Sequence, residues 1–175
     1  MSDPLFTLAD VRRGLETLAD YLTQKHHVVD IRIVGGAAVM IRVGREVLTR
    51  DIDALFSPSP VIDEGIRRIA VENFWPDTWL NDAVKMFASH FDRTNDWEVW
   101  LSRPGVTVSV ASPHLLLAMK LLAARPRDVE DIARLIEVCG AVSRDAALSI
   151  FDAYYPTESV KPRALRILDD LFPST

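Results

Sequence analysis

The chain contains Ile31-Arg32-Ile33-Val34-Gly35-Gly36 and, about 15 residues later, Thr49-Arg50-Asp51-Ile52-Asp53, and these two stretches decide its fold. The first predicts an apolar strand that runs into two glycines and then into the small-residue start of a helix. Glycines at that position let backbone N–H groups of a helix N-terminus approach a phosphate. The second predicts a strand on which Asp51 and Asp53 point to the same side, because side chains alternate along a strand.

Asp51 and Asp53 predict a metal site. Two ionised carboxylates held this close repel each other unless a cation lies between them or one of them binds a proton. Their oxygens suit Mg²⁺, with Mn²⁺ as the alternative ion. A surface strand with two solvated acids is the competing interpretation of so short a motif. The glycine pair upstream favours the metal site over that alternative.

The order strand, Gly-Gly, helix and Asp-x-Asp strand resembles the nucleotidyltransferase superfamily that includes DNA polymerase beta. The Gly-Gly-Ala form with Thr-x-Asp-Ile-Asp is more similar to the minimal nucleotidyltransferases of toxin–antitoxin and phage-defence systems, of the AbiE and MenT types. The resemblance implies Mg²⁺-dependent transfer of an NMP from an NTP such as ATP to a tRNA 3′ end or to a protein hydroxyl. It also implies a cognate antitoxin as a partner. It assigns nucleotide contacts to Gly35, Gly36, Thr49 and Arg50. Many members of the superfamily have serine at the position of Gly36.

Lys120 lies in Leu115-Leu116-Leu117-Ala118-Met119-Lys120-Leu121-Leu122, a run that predicts a buried helix. Such a lysine either extends to the surface along its apolar stem or meets a carboxylate or a phosphate. Further on, Asp128 is a candidate helix cap and Asp131 lies in the first helical turn, where an acid complements the helix dipole. The same toxin-type families have a lysine and an Arg-Asp-x-x-Asp element in the active site. The resemblance therefore implies catalytic roles for Lys120 and Asp131 beside Asp51 and Asp53.

The segment Trp79-Leu80-Asn81-Asp82-Ala83-Val84-Lys85 is a further candidate for nucleotide binding. Asn81 and Lys85 have side chains that can hydrogen-bond a base, a ribose or an acceptor end. Trp79 either stacks on a base or fills the core, since aromatic residues are core residues first. The two interpretations of this segment stay open at this point.

A third carboxylate, common in full nucleotidyltransferases, is not evident on the strand predicted over Val106–Ala111. Glu98, on the preceding strand, is the best strand-borne candidate, with Asp82 and Asp131 as the others. If none of them joins Asp51 and Asp53, the chain is a degenerate nucleotidyltransferase fold. Such a protein would bind nucleotide as a regulatory partner without transfer.

The pattern of the whole chain predicts an α/β (α+β) fold, with a mixed sheet in the N-terminal half and helices in the C-terminal half. We expect a nucleotidyltransferase-like core over 1–112 and a helical region over 113–175 packed on it as one compact unit. The helix and strand predictions follow from capping residues and from hydrophobic periodicity. Helices are predicted from Thr7 to about Lys25, over Val61–Asn73, Pro113–Ala124 and Asp128–Cys139, from Ser143, and over Lys161–Phe172. Strands are predicted over Val28–Val34, at the Asp-x-Asp motif, and as a hairpin of Trp97–Leu101 with Val106–Val110.

The composition and the N-terminal sequence predict where in the cell the protein is found. The chain has 175 residues and a formal net charge of −5, which argues mildly against extensive nucleic-acid contact. The start at Met1 has no features of a signal peptide, and no apolar run reaches the roughly 20 residues of a membrane span. We therefore expect a cytoplasmic protein that does not bind membranes. The single cysteine, Cys139, lies in an apolar helical stretch and is expected to be a buried thiol.

Overall fold

The computed structural model describes residues 5–44 and 48–173, so Met1–Pro4, where no leader is expected, lies outside the described residues. Over that described part the fold is α+β, as predicted, with a five-stranded mixed sheet and seven α-helices. The helices are α1 Leu8–Gln24, α2 Gly35–Val43, α3 Pro60–Asn73, α4 Pro113–Ala123, α5 Val129–Cys139, α6 Arg144–Tyr154 and α7 Pro162–Leu171. The strands are β1 Val29–Ile33, β2 Ile52–Leu55, β3 Leu80–Asn81, β4 Trp97–Arg103 and β5 Val106–Ala111. No helix within these residues is long and apolar enough to cross a membrane.

The sheet has the strand order β3-β2-β1-β5-β4. β1 is antiparallel to β2 and parallel to β5, β2 is parallel to β3, and β4 and β5 form the predicted antiparallel hairpin. β1 is the middle strand of this order, and its buried residues Val29, Ile31 and Ile33 alternate with more exposed ones. The glycine pair and the Asp-x-Asp motif therefore emerge from adjacent strands.

The helix starts follow their local capping signals. Thr7 and Asp10 form a capping box at α1, in which each side chain bonds to the other residue's backbone N–H. The hydrogen bonds from Thr7 to the Asp10 carboxylate lower the pKa of Asp10. Ser59, Ser112 and Ser143 cap α3, α4 and α6 through their hydroxyls. The predicted starts of α1, α4 and α6 are confirmed, and α3 begins at Pro60, one residue before its predicted start at Val61.

Contacts between residues divide the described chain into two compact units. The first takes in the described residues up to Met86 together with Trp97–Ala111. The second takes in Phe87–Asp96 and the described residues from Ser112 onward. The sheet with α1, α2 and α3 belongs to the first unit, and α4 to α7 belong to the second.

Trp79 belongs to the core of the first unit. Its side chain is fully buried, and its Nε1–H donates to the carbonyl of Ile66 on α3 at 3.0 Å. Gly14 on α1 makes room for the indole, since a Cβ there would lie 2.8 Å from a Trp79 ring carbon. Of the two interpretations of Trp79, core packing is therefore the one that the structure supports.

The second unit contains a buried carboxylate that the sequence did not single out. Asp96 is only 5% exposed and accepts hydrogen bonds from Ser112 Oγ at 2.8 Å, from Tyr154 Oη at 2.6 Å and from Arg93 N at 2.7 Å. Burial, and secondarily the bond to Asp96, raises the pKa of Tyr154 to about 12. The network joins the segment before β4 to α4 and α6, which accounts for a buried acid in this position.

Candidate functional site

The Asp-x-Asp motif lies at the beginning of β2. The strand begins at Ile52, one residue later than Asp51, yet the alternation extends through the motif: Ile52 and Ala54 are buried, whereas Asp51 and Asp53 are partly exposed. Asp53 accepts a backbone hydrogen bond from Val34 N at 2.9 Å. Both acids are thus positioned by the sheet, on the side opposite to the buried residues of β2.

Gly35 has a conformation and a neighbour that require glycine. Its φ is +65°, in the left-handed region, and a Cβ built on it would lie 2.6 Å from Asp53 Oδ2. Gly35 is also the first residue of α2, where backbone N–H groups have no partner within the helix. The start of α2 therefore lies directly against the Asp53 carboxylate, with no side chain between them.

Thr49 lies beside the second glycine. A Cβ on Gly36 would be 3.1 Å from Thr49 Oγ1, and that hydroxyl donates to the carbonyl of Asp51 at 2.9 Å. Backbone bonds in both directions with Phe6, at 2.6 and 3.0 Å, hold Thr49 in place. Arg50 is exposed at the bend that follows. The Thr49 side chain thus joins the glycine pair to the segment that carries the acids.

Asn81 approaches the acids from β3, a two-residue strand without a predicted counterpart. It pairs in register with Asp53, its Nδ2 donates to Asp51 Oδ2 at 3.4 Å, and its Oδ1 accepts from Ala83 N at 3.1 Å. β3 is too short to give a periodic pattern, so only the polar side chain signalled this position. Six of the residues proposed from sequence therefore form one connected group: Gly35, Gly36, Thr49, Asp51, Asp53 and Asn81.

Lys85 makes a different set of contacts. Its ammonium pairs with the Asp82 carboxylate, and Nζ lies 5.9 Å from the centre of the Phe56 ring. Lys85 is in the short 3₁₀ helix that follows β3. It belongs to the same unit as the Asp-x-Asp motif but is oriented by Asp82 and Phe56.

Lys120 meets carboxylates, which is one of the alternatives left open by the sequence. Its Nζ lies 2.6 Å from Asp128 Oδ1 and 2.9 Å from Asp131 Oδ2, and all three side chains are largely buried. Asp128 Oδ2 also accepts from Arg125 N at 3.0 Å. The cluster connects α4 to the start of α5 within the second unit, because a buried ammonium and buried carboxylates are stable only when paired.

Glu98, the strand-borne candidate for a third acid, pairs with the guanidinium of Arg42. Arg42 lies in the last turn of α2 and also donates to the carbonyls of Val110 and Ala111, each at 2.9 Å. This arrangement holds the end of α2 against the end of β5. It gives Glu98 a structural partner on the far end of the helix from Gly35.

Asp51 and Asp53 offer carboxylate oxygens, the donor type that divalent cations such as Mg²⁺ prefer. Among residues 5–44 and 48–173, no group of three or more His, Cys, Asp or Glu side chains is placed to hold a metal ion. Mg²⁺ is commonly bound by one or two carboxylates, with water and substrate phosphates completing the coordination. Asp51 and Asp53, beside a helix start that can bind phosphate, fit that description.

The model of a family described as "Nucleotidyltransferase of unknown function (DUF6036)" matches residues 8–157. The chain belongs to this family. The DUF6036 match covers the glycine pair, the Asp-x-Asp motif, and Lys120 with Asp131, and it assigns the chain to the nucleotidyltransferases as a class. Neither the curated proteins nor the solved structures gave a match.

Proposed function

We propose that this DUF6036 protein transfers an NMP from an NTP to a hydroxyl group, with Mg²⁺ as its cofactor. The observation that carries the proposal is the contact between Gly35 and Asp53. It brings a helix N-terminus that can bind phosphate against a pair of carboxylates that can bind a divalent cation. Those are the two parts that phosphoryl and nucleotidyl transfer need most, since catalysis there depends on positioning and on charge stabilisation.

Each residue of the connected group has a role in this proposal. Backbone N–H groups at Gly35 and Gly36 bind the β- and γ-phosphates, and Thr49 and Arg50 provide further nucleotide contacts. Asp51 and Asp53 hold the metal ion, which supplies positive charge to the phosphate oxygens when bound. Asn81 fixes the orientation of the Asp51 carboxylate through its amide.

The reaction balances without a further reactant. The acceptor oxygen forms a bond to the α-phosphorus, and the bond from that phosphorus to the bridging oxygen of the β-phosphate breaks. Pyrophosphate leaves with the electron pair, and the proton of the acceptor hydroxyl passes to water. The entering and leaving oxygens lie on opposite sides of the phosphorus in such a displacement.

We propose that Lys120 and Asp131 act together on the nucleotide, as the resemblance to toxin-type nucleotidyltransferases implies. An ammonium has three donor hydrogens, so Lys120 can bind a phosphate oxygen while Asp128 and Asp131 remain paired with it. Its charge would then offset that of the triphosphate as pyrophosphate leaves. Asp131 orients the ammonium through its ion pair with Lys120.

A toxin role is the biological form of the proposal. It is supported by the similarity of Gly-Gly-Ala, Thr-x-Asp-Ile-Asp and the Lys and Arg-Asp-x-x-Asp elements to toxin-type nucleotidyltransferases. The acceptor would then be a tRNA 3′ end or a protein hydroxyl, and a cognate antitoxin would be the partner. Co-expression with a neighbouring small reading frame tests this directly, because an antitoxin should restore the growth that the protein alone inhibits.

The decisive experiment for transfer uses α-labelled NTPs with Mg²⁺, total RNA and total protein. We expect label on one class of acceptor, and we expect Asp51→Asn combined with Asp53→Asn to abolish it. Asp152→Asn, which changes an exposed acid on α6, is the matched control and should keep full activity. Unchanged labelling in the double variant would refute the metal assignment.

A second candidate is a nucleotide-binding regulator without transfer activity. It is favoured by one observation, the pairing of Glu98 with Arg42, which occupies the best strand-borne candidate for a third acid. Calorimetric titration with each NTP, with and without Mg²⁺, separates the two functions. Mg²⁺-dependent binding with no labelled product from any acceptor would favour the regulator.

A further inference from the structure

A cavity of about 410 Å³ opens beside Asn81 in the first unit. Phe56, Ile66 and Leu80 supply its apolar lining, and acids lie around them. The volume falls within the usual range for small-ligand sites, as does the combination of apolar walls with a few polar groups. Asn81 both lines the cavity and bonds to Asp51, so the cavity begins where the connected group of the candidate site ends.

The walls of the cavity are tied together. The indole N–H of the buried Trp79 donates to the carbonyl of Ile66, which joins the β3 segment to α3. Ile52 N donates to the carbonyl of Trp79 at 2.7 Å, which joins the same segment to β2. A cavity with walls fixed in this way is formed before any ligand arrives, so the protein itself loses little conformational freedom on binding.

The strand order indicates that the acceptor, not the NTP, binds in the cavity. Gly35 follows β1, Asp53 lies on β2 and Asn81 lies on β3, and these strands are adjacent in that order. With the leaving phosphates at the glycines after β1, β3 lies on the other side of the acids on β2, which is the side left for the attacking group of an in-line displacement. We propose that the cavity beside Asn81 holds the acceptor, and that the acceptor is a hydroxyl-bearing polypeptide segment with basic neighbours. This inference rests on the proposed function.

The charges that line the cavity favour a polypeptide acceptor over an RNA acceptor. Asp63, Asp77 and Asp82 line the cavity with Arg67 as the one lining cation, and Lys85 pairs with Asp82. Three acids against two cations give a negative local field, which repels a phosphate backbone and attracts lysine or arginine side chains. Asp63 and Asp77 are exposed, so they can reach the charges that flank an acceptor serine or threonine. The overall charge of −5 acts in the same direction.

The test uses the full chain and four probes: a peptide with one serine flanked by lysines, its serine-to-alanine form, a peptide with the serine flanked by glutamates, and an RNA oligonucleotide with a free 3′ hydroxyl. Fluorescence anisotropy measures binding without metal or nucleotide, and label transfer from α-labelled NTPs with Mg²⁺ measures the reaction. We expect the lysine-flanked alanine peptide to bind, and we expect Asp77→Lys to weaken its binding by about fivefold.

Glu64→Lys is the matched control, because Glu64 is exposed on α3 but does not line the cavity. It should leave peptide binding unchanged. Equal binding of the lysine-flanked and glutamate-flanked peptides, or equal effects of Asp77→Lys and Glu64→Lys, would overturn the inference.

The labelling arm separates this inference from the proposed function. Label on the lysine-flanked serine peptide supports both. Label on RNA alone overturns the polypeptide acceptor and leaves nucleotidyl transfer standing. Peptide binding that depends on Asp77, with no label on any acceptor, supports the specificity of the cavity and overturns the transfer function.

Discussion

Gly35 and Asp53 lie so close that any side chain at position 35 would overlap the carboxylate, since an added Cβ would be 2.6 Å from Oδ2. Two independent constraints meet at this glycine: its positive φ and its contact with an acid of the candidate site. They can be separated because Gly44, at the other end of α2, has nearly the same φ of +64°, and no atom of the residues that the structure describes lies within 4 Å of a Cβ added there.

Gly35→Ala should therefore be more damaging than Gly44→Ala. The left-handed backbone alone costs alanine about 1 kcal/mol, which is the expected loss at Gly44. At Gly35 the displacement of Asp53 adds about 1–3 kcal/mol, as in other overpacked sites. Urea unfolding of both variants measures the difference, and equal losses of unfolding free energy would contradict the close contact.

Lys120→Met should destabilise the protein by about 3–5 kcal/mol, because it leaves Asp128 and Asp131 buried without their cation. Adding Asp128→Asn and Asp131→Asn to that variant should restore much of the loss, since no buried charge is then uncompensated. Lys161→Met, at an exposed position, serves as the control and should change the unfolding free energy little. A small effect of Lys120→Met on chemical denaturation would mean that the three side chains are not coupled.

Tyr154→Phe and Tyr155→Phe should differ although both remove one phenolic hydroxyl. Tyr154 donates to the Asp96 carboxylate and Tyr155 to the backbone carbonyl of Phe87, each at 2.6 Å. Hydrogen bonds to charged groups contribute about 1.5–3 kcal/mol and neutral ones about 0.5–1.5 kcal/mol. Thermal unfolding should rank the Tyr154 variant below the Tyr155 variant, and the reverse order would contradict the bond from Tyr154 to Asp96 as the stronger of the two.

The same tyrosine predicts a loss of stability in alkali. The pKa of Tyr154 is raised from 10 to about 12 in the folded protein, so its neutral form is favoured there. The unfolded chain releases the proton first as the pH passes 10, and the contribution of Tyr154 is lost progressively up to pH 12. The difference in unfolding free energy between the wild-type protein and Tyr154→Phe should therefore shrink over this interval. A constant difference from pH 9 to pH 12 would contradict it.

Cys139 should react slowly with alkylating agents. Burial raises the pKa of its thiol from 9 to about 11, which lowers the thiolate fraction at pH 8 by about 100-fold. Timed iodoacetamide labelling followed by mass spectrometry should show the rate rising steadily up to pH 11. Rapid labelling at pH 7 would identify an exposed thiol and contradict the packing around α5.

Features with local signals were predicted well from the sequence. Thr7 with Asp10, and Ser112 before Pro113, mark helix starts because the capping hydrogen bonds close within one turn. The hairpin of β4 and β5 also follows from two strand-like runs around Pro104-Gly105.

Features that depend on tertiary contacts were not predictable in the same way. β3 exists because Leu80 and Asn81 pair with β2, not because two residues have a strand pattern. Asp128 was a candidate cap for α5, but its carboxylate bonds to Lys120 and Arg125 N instead, since a buried lysine on another helix competes for it. Asp96 had no signal at all, because its partners Ser112 and Tyr154 are distant in sequence.

The division of the chain into two units determines how the helical unit can be expressed on its own. The hairpin of β4 and β5 belongs to the first unit, although the residues on both sides of it belong to the second. A fragment that begins at residue 112 would therefore lack Phe87–Asp96, the segment whose Asp96 bonds to Ser112 and Tyr154. Ser112 N donates to the carbonyl of Asp96 at 2.6 Å, so the residues directly before and after the hairpin are adjacent. A short turn in place of Trp97–Ala111 would turn the helical unit into a single continuous polypeptide suitable for independent expression.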